Sequence, residues 1–393
     1  MEFNLSHMTG ADAIHKLEMI FEASIDLETT SDSKDFLDKV LSHSRKIVRA
    51  PAGSLYLIDD DKLAFLACQN DKVNVDEILT AQGGIGKVMP LSSSSIAGYV
   101  ASSGEEMYIE DVYAIPPKYP YKFNDAVDKQ TGFKTQSILA IPLRHPSDGI
   151  LGTLQLINPD EKSVSLINMG LIKSFSVMAA VSIVNLRLRE NLKEAYMETL
   201  FRLGLASEYN DENTYHHIQR IRHASKIIAQ QMGFSTEAQE NIFHASAMHD
   251  IGKIGVADYL LQKQGHLTYD EMSVMRTHPE IGSLILKNSK TEILQLSESI
   301  ALCHHEKWNG SGYPRGLKGE EIPISARIVA IADVFDALVN ARPYKEAWPL
   351  NKALTKIREE RGAHFDPDVV DAFFAVLPEI KKVQKKYGSL IEC

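Results

Sequence analysis

Between Ser163 and Glu208 the chain runs without a proline, and Leu166, Met169, Ile172, Phe175, Met178, Ala179 and Ile183 recur at helical intervals. Leu186, Leu192, Tyr196, Leu200 and Leu203 prolong the trace. A single helix of that length would extend about 70 Å at about 1.5 Å per residue. It would outreach the core of an ordinary domain, so the pattern predicts a connector between two bodies, paired with a copy of itself as a homodimer. The alternative is two shorter helices broken near Gly170 or Gly204. A length of 393 residues independently calls for two domains.

Before the connector, residues 11–50 read as helix, with Ile14, Leu17, Ile20 and Phe21, then Phe36, Val40, Leu41 and Ile47, at helical spacing. After Pro51 the pattern changes to strands over Ser54–Ile58 and Leu63–Ala67, joined by the acidic turn Asp59-Asp60-Asp61. Gly83-Gly84-Ile85-Gly86 lacks the Lys-Ser/Thr of a phosphate loop and reads as a turn. A short helix over Ser95–Val100 and a strand over Met107–Asp111 follow. Residues 112–134, with Pro116, Pro117 and Pro120, read as a long loop, either a lid or an elaborated surface. Strands over Ser137–Leu143 and Leu151–Asn158 complete an α+β pattern.

The runs Ser95-Ile96-Ala97-Gly98-Tyr99-Val100-Ala101 and Gly152-Thr153-Leu154-Gln155-Leu156-Ile157-Asn158 resemble the GAF family, over residues 15–185. That resemblance implies a sensor domain, an antiparallel sheet with flanking helices, that holds an unknown small molecule or serves dimerisation alone. The Asn-Lys…Phe…Asp-Glu pattern of cyclic-nucleotide-binding GAF domains is missing, so that ligand is not expected.

Composition excludes several classes. A net charge of −10 argues against a nucleic-acid polymer as partner, because such binders carry a broad basic face. Cys68, Cys303 and Cys393 are scattered and imply no disulfide framework, and Cys303 beside His304 reads as a small buried hydrophobe. No apolar run reaches the roughly 18 to 20 residues that span a bilayer. The start Met1-Glu2-Phe3-Asn4-Leu5-Ser6-His7 lacks the basic and apolar regions of a signal peptide. A cytoplasmic protein without a membrane partner is the expectation.

Ten of the fourteen histidines follow residue 200, so the chemistry belongs to the second half, which reads as mostly helical over 205–377. His249-Asp250 precedes Gly252, His278 precedes Pro279, His304-His305 is an adjacent pair, His217 lies upstream and Asp333 downstream. Adjacent helical residues point about 100° apart, so His249 and Asp250 serve one site where a helix ends and its backbone opens, as Gly252 suggests, or where Asp250 bridges two ions. Pro279 likewise biases His278 out of regular helix. His216, His223, His244, His266 and His364 read as ordinary surface or core residues. Together the five imidazoles and two carboxylates can close around two metal ions.

The motifs His249-Asp250-Ile251-Gly252-Lys253, His304-His305-Glu306-Lys307-Trp308-Asn309-Gly310-Ser311-Gly312-Tyr313-Pro314 and Arg342-Pro343-Tyr344-Lys345 resemble the HD-GYP phosphodiesterase family over residues 205–390. The resemblance implies an all-α domain that hydrolyses cyclic di-GMP to linear pGpG, and onward to GMP, with two divalent metal ions, Fe or Mn. By position it implies His217, His249, Asp250 and Asp333 on one ion, and bridging Asp250 with His278, His304 and His305 on the other. It also implies Lys253 as a phosphate contact and Tyr313, Arg342 and Lys345 as dinucleotide contacts, with Asp250 and Lys253 carrying the chemistry. An imidazole-rich set suits Fe or Mn better than Mg, and a zinc site usually has only four ligands. Some members bind a third metal through a Glu four residues before the first His; here that place is Asn213, with Glu212 beside it, so two metals are expected. Asn309 stands where Asp is usual. Two other readings remain: a receptor that binds a cyclic dinucleotide with little turnover, and a phosphodiesterase for another cyclic dinucleotide, such as a mixed guanine–adenine one.

Overall fold

The computed structural model describes residues 22, 25, 33–76, 87–164, 166–209, 214–263, 265–341 and 346–388. It divides into two units, Met1–Asn191 and Leu192–Cys393.

In the first unit, helix α1 (Ser33–Val48) carries Asp35 in its first turn and Arg45 and Lys46 in its last, charges that complement the helix dipole. Ile14, Leu17, Ile20 and Phe21, and the Gly83–Gly86 turn, lie outside the described residues. Among the described residues six strands form one antiparallel sheet: β1 (Ala52–Asp59), β2 (Lys62–Asn70), β3 (Val88–Pro90), β4 (Met107–Ile109), β5 (Ile138–His145) and β6 (Gly149–Ile157). Their order is β3-β2-β1-β6-β5-β4, so the last strand returns to the centre beside the first.

The pleat explains both faces of the sheet. Leu55 and Leu57, Leu154 and Leu156, and Leu139, Ile141 and Leu143 alternate onto one face. They pack there with Phe36 and Leu41 of α1 and Ile172, Phe175 and Ala179 of the long helix. Ser54, Tyr56 and Gln155 turn to the other face, where with helix α2 (Ile96–Ser103) they bound a cavity of about 380 Å³.

Residues 112–134 are more structured than the loop expected from their prolines. They hold a 3₁₀ turn (Val112–Ala114) and helix α3 (Ala126–Thr131), and Val112, Tyr121 and Phe133 are buried. Ring contacts drive this: Tyr113 meets Phe123 and Tyr119 stacks on Tyr121. The Asp128 carboxylate then accepts hydrogen bonds from the Tyr113 hydroxyl at 2.8 Å and from Thr135 Oγ1 at 2.8 Å.

Helix α4 (Leu166–Ser207) passes without a break through Gly170 and Gly204, which removes the two-helix alternative. Contrary to the reading that no stretch is apolar enough to span a bilayer, Met169–Ser207 meets that test by length and composition, an 18-residue stretch within it reaching a mean hydropathy of 1.6. The sequence shows no unbroken apolar run because small polar residues interrupt it, yet few charges lower the average. Ile172, Phe175, Ala179, Ala180 and Ile183 are buried in the first unit's own core.

The second unit is helical. Helices α5 (Thr214–Gln231), α6 (Thr236–Ala245), α7 (Asp258–Leu261), α8 (Tyr269–Met275), α9 (His278–Leu286), α10 (Glu292–Cys303) and α11 (Ile324–Val339) are followed by α12 (Leu350–Glu359), α13 (Pro367–Ala375) and α14 (Leu377–Lys386). Nearly every apolar side chain of α11 is buried, and Phe335, Ile328 and Ile331 meet Ile221 and Ile228 of α5, Ile300 of α10 and Phe373 of α13. This is the helical core onto which the site is built.

Candidate metal centre

Two facing helices carry the first wall. His217 and Arg220 on α5 stand three residues apart, as do Asp333 and Asp336 on α11, so each pair lies on one helix face. His217 Nε2 comes within 3.7 Å of Asp333 Oδ1, while its Nδ1 lies 2.7 Å from Asp336 Oδ2. Arg220 grips the same Asp336 carboxylate twice, at 2.6 and 3.0 Å. Asn340 and Gln384 each donate to Asp336 Oδ1 at 2.9 Å. Burial works against the Asp336 anion, but hydrogen bonds from His217 and Arg220 hold it below the usual carboxylate range.

The second wall is where helix gives way. Helix α6 stops at Ala245, a 3₁₀ turn covers Ser246–Met248, and a second covers Ile251–Gly255, so His249-Asp250 occupies the junction. Gly252 is required there: a Cβ on it would sit 1.9 Å from the His278 carbonyl oxygen, which brings the second turn hard against α9. His278 opens α9 rather than standing outside it, because Pro279 is tolerated in a first turn whose N–H groups have no partner. His304 caps the C-terminus of α10 and His305 follows it.

The imidazoles are aimed by the chain itself. Nδ1 of His249 meets Ser246 O at 2.9 Å, that of His278 meets Met275 O at 2.8 Å, and that of His304 meets Ala301 O at 3.0 Å. Donation from Nδ1 aims Nε2 of each ring into the cavity, where it can serve as a ligand atom once it carries no proton. Nε2 of His249, His278 and His304 and Oδ1 of Asp250 are buried without a hydrogen-bond partner. Buried polar atoms are rarely left so, and a cation accounts for all four together.

Two donor groups result. Asp250, His278, His304 and His305 have ligand atoms all within 4.8 Å of one another, and so have Glu208, His217 and His249. Asp250 reaches both: Oδ1 lies 3.1 Å from His278 Nε2 and 3.6 Å from His304 Nε2, and Oδ2 lies 3.4 Å from His249 Nε2. Lys253 Nζ contacts Asp250 Oδ2 at 2.5 Å.

Charge is balanced accordingly. Burial opposes ionisation of Asp250, but Lys253 and His249 hold its carboxyl well below the usual range. Burial likewise disfavours a charged His249, yet Asp250 and Glu208 carry it up to about 9. Burial pushes His304 and His305 below the usual imidazole range, which leaves both neutral as ligands must be. Burial raises the Glu208 carboxyl.

Tyr313 stacks on His305 with ring centroids 4.8 Å apart, and the Arg276 guanidinium lies 5.1 Å from the Tyr313 ring centroid. Its loop is strapped by buried Glu306, which accepts from Arg315 N at 2.7 Å and Leu317 N at 3.0 Å. Asn309 serves the same loop, accepting from Ser311 N at 2.9 Å. Arg342 and Lys345, and the positions of Glu212 and Asn213, lie outside the described residues. The sequence reading singled out neither Glu208, Arg220 and Asp336 nor Arg276. The Arg220 and Asp336 pair had a signal, three-residue spacing behind a candidate ligand on each helix; Glu208 and Arg276 had none.

Fold and site together define a two-part protein, a sheet-and-helix domain followed by a helical domain that carries a histidine–aspartate cluster able to hold metal ions. In family terms these are a GAF domain and an HD domain: residues 32–183 match the model described as GAF domain, and residues 205–369 the model described as HD domain. Among curated proteins the chain is 47% identical over 198 residues to the cyclic di-GMP phosphodiesterase response regulator RpfG of Xanthomonas campestris, covering 50% of this chain and 52% of that one. It is 48% identical over 189 residues to a cyclic di-GMP phosphodiesterase of Thermotoga maritima, covering 48% and 51%. With the 3′3′-cGAMP-specific phosphodiesterase 2 of Vibrio cholerae it shares 28% identity over 355 residues, covering 90% of this chain and 63% of that protein. The chain thus spans about half the length of the first two relatives.

Proposed function

We propose that the chain is a metal-dependent phosphodiesterase that hydrolyses cyclic di-GMP to linear pGpG, and onward to GMP, under control of its GAF domain. The observation that carries the reading is the set of four buried, unspent donor atoms on His249, Asp250, His278 and His304. His217, His249, Asp250 and Asp333 would hold one ion, and Asp250, His278, His304 and His305 the other. Imidazole-rich ligation favours Fe or Mn. When bound, such ions supply Lewis acidity, acidifying water and neutralising phosphoryl charge.

The remaining chemistry falls to the chain. Asp250, within reach of both donor groups, fixes their separation. Lys253 offers its ammonium to a phosphoryl oxygen as charge builds there. Tyr313, stacked on His305, supplies an aromatic ring beside the centre for contact with the dinucleotide. Arg342 and Lys345 would contact the dinucleotide. In the net step water adds to phosphorus, the bond to the 3′ oxygen breaks, and the proton from water ends on that oxygen.

We assign residues 15–185 to the sensor domain, 163–208 to the connector and 205–390 to the catalytic domain. Exposed Leu188 and Leu192 on α4 support a homodimer through the connector. A cytoplasmic location accords with the burial of Ile172, Phe175, Ala179, Ala180 and Ile183 of α4 in the first unit's core. A second substrate, 3′3′-cGAMP, is favoured by one observation: the relative aligned across both domains, over 90% of this chain, bears that name.

Purification under anaerobic, reducing conditions, metal analysis and turnover with both dinucleotides test the reading. Linear product in the presence of Fe or Mn, abolished in Asp250→Ala, is expected. Tight dinucleotide binding by metal-loaded protein without linear product would make the chain a receptor instead.

A further inference from the structure

The end of α4 enters the metal centre. Phe201 and Leu205 pack with Ile218 and Ala247, and Gly204 touches the Ala247 backbone so closely that a Cβ would stand 2.3 Å from its carbonyl oxygen. Ala247 belongs to the turn that leads into His249. Glu208 follows one residue past the helix and is 6% exposed. Its Oε1 lies 3.8 Å from His249 Nε2, and its ligand atom falls within 4.8 Å of those of both His217 and His249. Donors at roughly 2.0–2.2 Å from one ion stand about 3 Å apart when adjacent and about 4.3 Å when opposite. The 3.8 Å between Glu208 Oε1 and His249 Nε2 falls inside that range. A carboxylate this deep in protein is costly unless cations face it, and around Glu208 stand Lys253, His217 and His249 together with the Asp250 carboxylate.

We infer that Glu208 is a further protein ligand of the ion held by His217 and His249, delivered by the last turn of the connector helix. This rests on the dinuclear reading of the centre, and it adds a carboxylate that the family pattern at Asn213 does not supply. It also gives α4 a physical route to the chemistry. Any shift of the helix end against Ala247 moves a ligand of one ion, while Asp250, His278, His304 and His305 keep the other.

The test is titration calorimetry of Mn²⁺ into chelator-stripped full-length protein, wild type against Glu208→Gln and Glu208→Asp, with circular dichroism to verify folding. Glu208→Gln is expected to weaken one of the two Mn²⁺ sites at least tenfold and leave the other near wild type, with Glu208→Asp between. Two ions bound with wild-type affinities in folded Glu208→Gln would overturn the assignment, whether or not turnover falls. Should the amide variant fail to fold, Glu208→Asp decides, because it keeps the charge and shortens the reach. Wild-type protein that binds two ions but turns over neither dinucleotide would sink the proposed function and leave this ligand assignment standing.

Discussion

Substituting Asp336 by Asn separates the two tasks this buried carboxylate performs. Asp336 is 2% exposed and faces donors only: His217 Nδ1, two Arg220 nitrogens, Asn340 and Gln384. An amide puts an NH₂ among them and leaves the Arg220 guanidinium, itself 3% exposed, without its counter-charge. Breaking a buried ion pair from one side costs about 3–5 kcal/mol. His217 simultaneously loses the anion that orients it, and loss of such a partner typically weakens metal binding about 10–100-fold. Urea unfolding of chelator-stripped protein measures the first effect and Mn²⁺ titration the second. Pairing Asp336→Leu with Arg220→Met is expected to recover much of the stability, since neither charge is then stranded, but not the metal affinity. The sign with pH follows from the depressed Asp336 ionisation. Its stabilising effect is complete above the ordinary carboxylate value, about 4, and is lost as pH falls below it. A folded Asp336→Asn protein less than about 1 kcal/mol below wild type, with unchanged Mn²⁺ affinity, would refute the reasoning.

Gly252→Ala is expected to cost about 1–3 kcal/mol through overpacking against the His278 carbonyl and to abolish the thermal stabilisation that added Mn²⁺ gives wild type; retention of that shift would show the turn can move without harm. His244 is held down to about 4 from an ordinary 6.5, by burial first and then Arg222. Between those values the unfolded chain takes up a proton that the folded one refuses, so stability drops as pH falls from 6.5 towards 4. His244→Gln is expected to flatten that slope in urea unfolding at pH 7 to 4.5, and parallel slopes would contradict it.

The fold was legible wherever one residue's pattern answered to one surface. Alternation at Leu55, Leu57, Leu154 and Leu156 announces strands because a pleat has period two, and the proline-free repeat announces α4 because a helix has its own period. The order β3-β2-β1-β6-β5-β4 was not legible, since pairing joins residues a hundred positions apart. Nor was the packing of residues 112–134, where ring contacts override the prolines.

The same division runs through the site. Local chemistry marked His249-Asp250, His278 and His304-His305, because glycine, proline and helix ends announce themselves in a few residues. Which atoms of those rings face the cavity, that Asp336 stands behind His217, and that Glu208 arrives from the end of α4 were settled by tertiary structure alone. Sequence carries residue type and period; direction and distance between segments come from burying the faces of α5, α10 and α11 against one another, a property of the whole core rather than of any stretch.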